Sequence, residues 1–278
     1  IPVAAVSLGE SSIVNETIKK VYLSDFSLRF PLPDNFIKLV SGKTILSVQR
    51  RAKYIFIKMS NNYTIISHLG MSGSYKILTA LDSKNYIPSK HDHVIFEFEK
   101  FKVVYNDPRR FGYILITEDE PENHKLIKTL GPEPLSNRFN ETFLAESFFN
   151  KERPIKSALL DQNIISGLGN IYVCEALFKA GINPRIKVKS LVSSNGSPKD
   201  DLRSLKDCIN QVIKKSIDLG RLSLKDFSNT EGKMGYFQRI FSVYGREGEN
   251  CLSKKCNKKI ERIVQSGRST FYCPNCQK

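Results

Sequence analysis

Along the first part of the chain, apolar residues recur every second position in short runs. Lys43–Gln49, Lys53–Met59, Tyr63–His68, His93–Glu99, Phe101–Asn106 and Gly112–Thr117 are rich in Ile, Val, Phe and Tyr. In one of them Val94, Phe96 and Phe98 alternate with Ile95, Glu97 and Glu99. This period of two predicts strands with one buried face. Asn61-Asn62 and Glu99-Lys100 break the runs as hairpin turns do. The pattern predicts an antiparallel β-sandwich or barrel over residues 1–128. Ser12–Lys20 is read as a short helix before it.

After Leu130-Gly131-Pro132-Glu133-Pro134 the period becomes helical. Phe143, Leu144, Phe148 and Phe149 suit one short helix, and Pro154 starts another that carries Ile155, Ala158 and Leu159 on one face. Gly167-Leu168-Gly169-Asn170 is a turn, with Asn170 as the N-cap of a helix that Gly181 closes. Ser197 and Pro198 open a longer helix striped by Leu202, Leu205, Ile209, Val212, Ile213 and Ile217, which Gly220 ends. A helical domain is thus expected over 129–222, followed by a third region over 223–278. The fold class is α+β.

The last stretch adds chemistry. Cys251 and Cys256, then sixteen residues, then Cys273 and Cys276 form two close pairs. Two such pairs suit one tetrahedral structural Zn²⁺, with two disulfides as the alternative. Between them, Arg262–Val264 and Ser269–Tyr272 flank a Ser266-Gly267 turn, so the region reads as a metal-pinned β-hairpin projecting Arg268. Cys174 and Cys208 fall on apolar helix positions and read as buried reduced thiols.

Charge narrows the partner. Lys and Arg outnumber Asp and Glu by 43 to 28, a net charge of +15 over 278 residues. With a zinc hairpin, that balance favours a polyanion, nucleic acid foremost. No run is long enough for a membrane span and no secretory segment is recognisable, so a cytoplasmic protein without membrane contact, monomeric by default, is expected.

Several residues could carry function, each beside a plainer reading. The GLGN turn offers free N–H groups and the Asn170 amide to a phosphate, or is an ordinary connection. Arg109, Arg110 and Phe111 combine charge for phosphates with a ring to wedge between bases, or decorate a surface bulge. Met71, in His68-Leu69-Gly70-Met71-Ser72-Gly73, is a wedge or a core gap-filler. Lys53 precedes an apolar strand and is an acid–base candidate or a solvated lysine. Lys156 in a first helical turn hints at an anionic ligand. His91, two residues before His93, suits a phosphate contact better than a metal.

Together these stretches resemble the formamidopyrimidine-DNA glycosylases. The resemblance rests on SVQRRAKY, HLGMSGS, KHDHV, YNDPRRFG, LGPEPL, IKSALLDQ, GLGNIYVCEALF, GYF with VYGREGE, and GRSTFYCPNCQK, in the family's order from about residue 43 to the end. It implies a β-sandwich, a helix–two-turn–helix domain and a zinc finger, with DNA between them and an oxidised purine flipped out. It further implies base excision by an amine attacking the sugar C1′, then β,δ-elimination at the abasic site. In that scheme Lys53 resembles the proton donor in β-elimination. Arg268 resembles the arginine of δ-elimination, which also grips the lesion phosphate. Asn170 and Lys156 resemble backbone-clamping residues and His91 a DNA contact. Met71, Arg109 and Phe111 resemble the residues that fill the gap left by the flipped base, with Arg109 facing the orphaned cytosine. Thr230–Phe237 corresponds to a loop covering the extruded base. The implied partner is duplex DNA carrying oxidised purines or abasic sites, and the implied location is a bacterial nucleoid.

Two departures accompany the resemblance. Glu152 stands where relatives carry a basic contact, leaving Lys151 or Arg153 as substitutes. The family's nucleophile is the proline of a terminal Pro-Glu. Counted back from Arg29-Phe30-Pro31, its counterpart precedes Ile1, and Pro2 is acylated by Ile1. Two readings therefore stand: a glycosylase with AP-lyase activity, or a binder of damaged or abasic DNA.

Overall fold

The computed structural model describes residues 13–226 and 241–278. Two compact units divide between Thr129 and Leu130.

The N-terminal unit is a sandwich of two four-stranded antiparallel sheets. Its strands are β1 (Lys20–Leu23), β2 (Ile45–Arg51), β3 (Tyr54–Met59), β4 (Thr64–His68), β5 (Ser74–Leu78), β6 (Asp92–Glu97), β7 (Lys102–Asn106) and β8 (Tyr113–Thr117). One sheet has the order β1-β6-β7-β5 and the other β2-β3-β4-β8. Alternation explains the packing. Ile55, Ile57 and Met59 from one sheet meet a core shared with Val94, Phe96, Val103 and Tyr105 from the other. Two short helices, α1 (Phe36–Val40) and α2 (Ala80–Lys84), complete the unit.

The helix expected over Ser12–Lys20 is not present in the described part, residues 13–20. Ile13 and Ile18 instead plug the sandwich core. Extended backbone wins because the β2 side offers partners: Asn15 N–H donates to the Ile45 carbonyl and Ile18 N–H to the Lys43 carbonyl. A short isolated helix has no comparable gain.

The C-terminal unit holds α3 (Glu141–Phe148), α4 (Ile155–Leu159), α5 (Asn170–Lys179), α6 (Asp200–Asp226) and the hairpin β9 (Glu261–Gln265) and β10 (Arg268–Tyr272). Asn140 caps α3, its Oδ1 accepting the Phe143 N–H at 2.9 Å. Gly181 ends α5 at φ +70°, the left-handed conformation that closes a helix cheaply with glycine. Two expectations are corrected. Helix α6 continues through Gly220 to Asp226. One internal glycine costs only about 1 kcal/mol, and no proline follows to stop the helix. The N-cap of α5 is Gly169, and Asn170 is its first helical residue.

Candidate nucleic-acid interface

In the N-terminal unit, strand register creates the site. The loop Leu69–Gly73 crosses from β4 to β5, and the loop Asp107–Gly112 crosses from β7 to β8. Because His68 pairs with Tyr113 and Ser74 with Asn106, both crossovers leave the same end of the sandwich. Their backbones nearly touch. A Cβ on Gly70 (φ +60°) would lie 2.5 Å from Phe111 C and Gly112 N, and one on Gly112 would lie 2.0 Å from the Tyr105 hydroxyl. Only glycine fits either position.

Asp107 locks the two loops together. It is fully buried. Its Oδ1 accepts the Ser72 hydroxyl and, at 3.3 Å, the Arg109 N–H; its Oδ2 accepts the Gly112 N–H at 2.8 Å. The Arg109 N–H also donates to Ser72 Oγ at 3.1 Å. On this frame Met71 stands 73% exposed and Phe111 48% exposed, with the Arg109 Cζ 4.9 Å from the Phe111 ring centroid. Met71 is therefore not a core gap-filler. A rigid frame holding apolar side chains and a cation in water suits insertion into a stacked duplex.

Lys53 lies in the turn between β2 and β3, one residue before the strand expected to contain it, after Ala52 at φ +54°. His68 stands near it. The His68 ring stacks on Tyr113 (centroids 5.1 Å apart, planes 9° apart), and its Nδ1 accepts the Gly70 N–H at 3.0 Å. Burial foremost, then the cations of Lys53 and Arg29, push His68 down to about 4. The folded state thus keeps this ring neutral where an unfolded histidine, near 6.5, would be charged. Stability from the neutral ring is complete above about 6.5 and is lost as pH falls toward 4. Urea titrations between pH 7 and pH 4 should show a loss of up to roughly 3 kcal/mol that His68→Phe lacks. Parallel pH profiles for the two proteins would refute this assignment.

His91 is half-buried just before β6, its carbonyl accepting the Asp107 N–H at 3.0 Å. His93 is buried; its Nε2–H donates to the Asp107 carbonyl at 2.9 Å. The two histidines do not form a metal pair, and His91 borders the Asp107 frame.

In the C-terminal unit, two distant pieces converge on β10. Lys156 Nζ donates to the Ser269 carbonyl at 3.0 Å and to Thr270 Oγ1 at 2.6 Å. Asn170 Nδ2 donates to the same Ser269 carbonyl at 2.8 Å. Arg268 follows the Ser266-Gly267 turn (φ +49° and +72°) and is exposed. Lys156, expected to reach a phosphate, has partners inside the protein. Lys156 is only 1% exposed and spends two of its three donors inside the protein. Burial lowers its pKa chiefly; nearby Cys174 opposes the shift and Arg268 adds to it. The Asn170 side chain turns to Ser269 rather than capping α5, and its Oδ1 is buried without a hydrogen-bond partner among the described residues. The first N–H groups of α5 stand beside it, a setting that favours an anion.

The four cysteines behind this hairpin form one cluster. The sulfurs of Cys251, Cys256, Cys273 and Cys276 lie within 4.8 Å of one another. Cys251–Cys276 and Cys256–Cys273 sulfur separations are 3.8 and 3.6 Å. Bonds of about 2.3 Å in a tetrahedron put thiolate sulfurs about 3.8 Å apart, so the set fits a single metal ion. All four are free, against the disulfide alternative. Asn275 Nδ2 donates to Cys256 Sγ at 3.4 Å and Ser253 N–H to Cys251 Sγ at 3.5 Å, as groups that steady metal-binding thiolates do. Cys174 and Cys208 are buried and free, as expected, and Cys174 packs on the hairpin with Val243, Ile260 and Cys273.

Comparison with known proteins agrees with this layout. The profile of the formamidopyrimidine-DNA glycosylase N-terminal domain matches residues 3–114, that of the formamidopyrimidine-DNA glycosylase H2TH domain residues 130–228, and that of a zinc finger found in FPG and IleRS residues 253–278. The formamidopyrimidine-DNA glycosylase of Agrobacterium fabrum is 45% identical over 276 residues, covering 94% of this chain and 93% of the relative. The chain belongs to the formamidopyrimidine-DNA glycosylase family. The Sinorhizobium fredii member is 46% identical over 264 residues, with 90% and 89% covered. Among solved structures, Lactococcus lactis Fpg bound non-covalently to DNA with an AP site has a TM-score of 0.83, 31% identity, and 99% and 98% of the two chains covered. The same protein with FAPY-dG DNA gives 0.83, 30% identity, and 99% and 97%.

Within this family member, Glu152 is neutralised internally. It pairs with Lys187 at 2.7 Å and with Lys189, which together hold its carboxyl down at about 2. Arg153, expected to contact DNA, donates to Asp161 Oδ2 at 2.8 Å and to the Ser157 carbonyl at 2.9 Å, so its guanidinium is largely committed to α4. Pro2 and the expected lesion-covering loop Thr230–Phe237 lie outside the described residues.

Three organising residues escaped the sequence reading. Asp107 was visible only as part of DPRRFG, and His68 only as the start of HLGMSG. Glu175 is buried, its carboxylate accepting N–H groups of Ser242, Val243 and Tyr244 at 2.8–3.0 Å. A lone acid amid the apolar run Val173–Leu177 was the available signal.

Proposed function

We propose that this family member excises oxidised purines, formamidopyrimidines and 8-oxoguanine, from duplex DNA and then cleaves the abasic site by β,δ-elimination. The observation that carries the reading is the exposed set Met71, Arg109 and Phe111 on two loops locked by Asp107. Such a set has no use in the sandwich core. It suits the space vacated when a nucleotide is everted.

The remaining residues take roles around it. Arg268 and the Asn170 end of α5 grip the backbone at the lesion, with Lys156 fixing Ser269 and Thr270 behind them. Lys53 delivers a proton during β-elimination. His91 and Arg153 are secondary backbone contacts. One Zn²⁺ on the four thiolates shapes the hairpin and takes no part in the chemistry. A protein amine, the terminal proline in the family, attacks C1′ and expels the base, leaving an imine. Its substrate places the protein with the bacterial chromosome in the cytoplasm.

Borohydride trapping tests the proposal. The full protein is incubated with duplex DNA carrying 8-oxoguanine opposite cytosine. Hydride reduces the imine to a stable amine, so a protein–DNA adduct and free 8-oxoguanine are expected, with β,δ-elimination ends in the absence of borohydride. Tight binding with neither adduct nor released base overturns the glycosylase reading in favour of a damaged-DNA binder.

A further inference from the structure

Helix α5 packs against β10, with Cys174 and Cys273 in one apolar cluster. At one end the pair is tied by Asn170, whose Nδ2 donates to the Ser269 carbonyl at 2.8 Å. The opposite end is tied too, by a residue that neither the nucleic-acid contacts nor the thiolates account for. Gln277 follows Cys276 and is 1% exposed. Its Oε1 accepts the Cys273 N–H at 2.8 Å, and its Nε2 donates to the Ile182 carbonyl at 2.8 Å. One amide thus spans from the second cysteine pair to the turn that ends α5.

The main chain supports the same junction. The Lys278 N–H donates to the Gly181 carbonyl at 3.0 Å, and the Asn183 N–H donates to the Lys278 carbonyl at 3.0 Å. The two ties stand at comparable distances along both elements. From Ser269 to Cys273 is about 13 Å of strand, and α5 from Asn170 to its cap at Ala180 is about 15 Å long. The apolar contacts between them are non-directional and leave their orientation open. Hydrogen bonds at both ends fix it. At Gln277 the two partners require one acceptor and one donor on the same side chain. An amide supplies both, an ionised carboxylate lacks the donor, and a thioether lacks any donor and is a weak acceptor. Burying such a group is favourable only when both of its ends are paired, as they are here.

We infer that Gln277 is a positioning residue for the metal: through its amide the end of α5 holds the main chain of Cys273, and metal retention depends on that docking. The inference rests on the zinc reading above. Gln277 offers no ligand of its own and acts through Cys273. Its distinctive feature is the partner on the far side, a carbonyl in a different element, ninety-five residues earlier.

Competition for zinc between the full protein and a chromophoric chelator of known affinity tests this without recourse to activity. Gln277→Met roughly keeps the size of the side chain and removes both hydrogen bonds, and it should hold zinc about ten- to hundredfold less tightly. Amide exchange on the zinc-loaded variant separates positioning from general loosening. Exchange should quicken across both 273–278 and 181–183 and stay unchanged across 202–213 of α6. Gln277→Asn, whose amide is one carbon short of spanning the two partners, should behave in the same way, and it decides the matter if Gln277→Met is isolated without zinc. Wild-type zinc affinity in Gln277→Met overturns the inference. So does weakened affinity with wild-type exchange across 181–183, because α5 then takes no part. Faster exchange through 202–213 also overturns it, as plain destabilisation. A wild type that binds no zinc overturns the zinc reading itself.

Discussion

Chelating the metal from the four-cysteine site is expected to unfold the C-terminal hairpin and remove tight DNA binding, while the β-sandwich stays folded. The hairpin has two strands of five residues, too few to be stable alone in water. Its local core is small: Val243, Ile260 and Cys273, with Tyr244 and Phe271 against Cys174 and Phe178 of α5. On the proposed zinc reading, the metal supplies the missing free energy, on the order of 10 kcal/mol in small zinc domains. Once it is lost, Ser269 and Thr270 no longer meet Lys156 and Asn170, and Arg268 loses its position. Affinity for an abasic duplex should fall at least about a hundredfold, close to 3 kcal/mol. Cys273→Ser should reproduce the effect, because Cys273 is wholly buried among the four. Amide exchange would show protection vanishing across 261–272 and persisting across 54–59. A hairpin still protected after release of the metal would refute the argument.

The strands were legible because their signal is local. Alternation in Val94–Phe98 and the paired breaks at Asn61-Asn62 and Glu99-Lys100 were enough to predict a two-faced antiparallel unit, and both breaks are turns between adjacent strands. The hairpin turn at Ser266-Gly267 was legible for the same reason. The failures share the opposite property. Asn170 resembles an N-cap locally, but its partner is Ser269, ninety-nine residues away. The burial of Lys156 was not readable either: Thr270, 114 residues on, accepts a hydrogen bond from its ammonium group. Residues 13–20 are not helical because their backbone partners lie on the β2 side. For the site, residue types alone left Arg109–Phe111 balanced between wedge and surface decoration, and Met71 leaning to a core gap-filler. The family resemblance tipped that balance, and the packing of Gly70 against Gly112 supplied the physical reason.

Asp107→Asn is expected to disable the protein although it removes only a charge. The two carboxylate oxygens face donors on both sides: Ser72 and Arg109 at Oδ1, Gly112 at Oδ2. An amide has one oxygen. Turned one way, its NH₂ opposes the Gly112 N–H; turned the other, it must take Ser72 Oγ as its acceptor, and Arg109 N–H loses its carboxylate oxygen. Each hydrogen bond to a buried charge contributes about 1.5–3 kcal/mol, so Asp107→Asn should cost about 2–3 kcal/mol and Asp107→Ala about 3–5 kcal/mol. The functional loss should be larger than Met71→Ala alone produces, because both loops lose their common anchor. A displacement of roughly 1 Å in groups that position a substrate can lower a rate about a hundredfold, and a fall of that order is expected in single-turnover excision. A stability defect alone would not alter the way DNA is deformed. Fluorescence of 2-aminopurine opposite an abasic site provides that separate readout, because it rises when the base is unstacked by an inserted side chain. Folded Asp107→Asn, saturated with DNA, should show little of the rise that wild type gives. If the rise and the excision rate both match wild type, Asp107 does not hold the wedge.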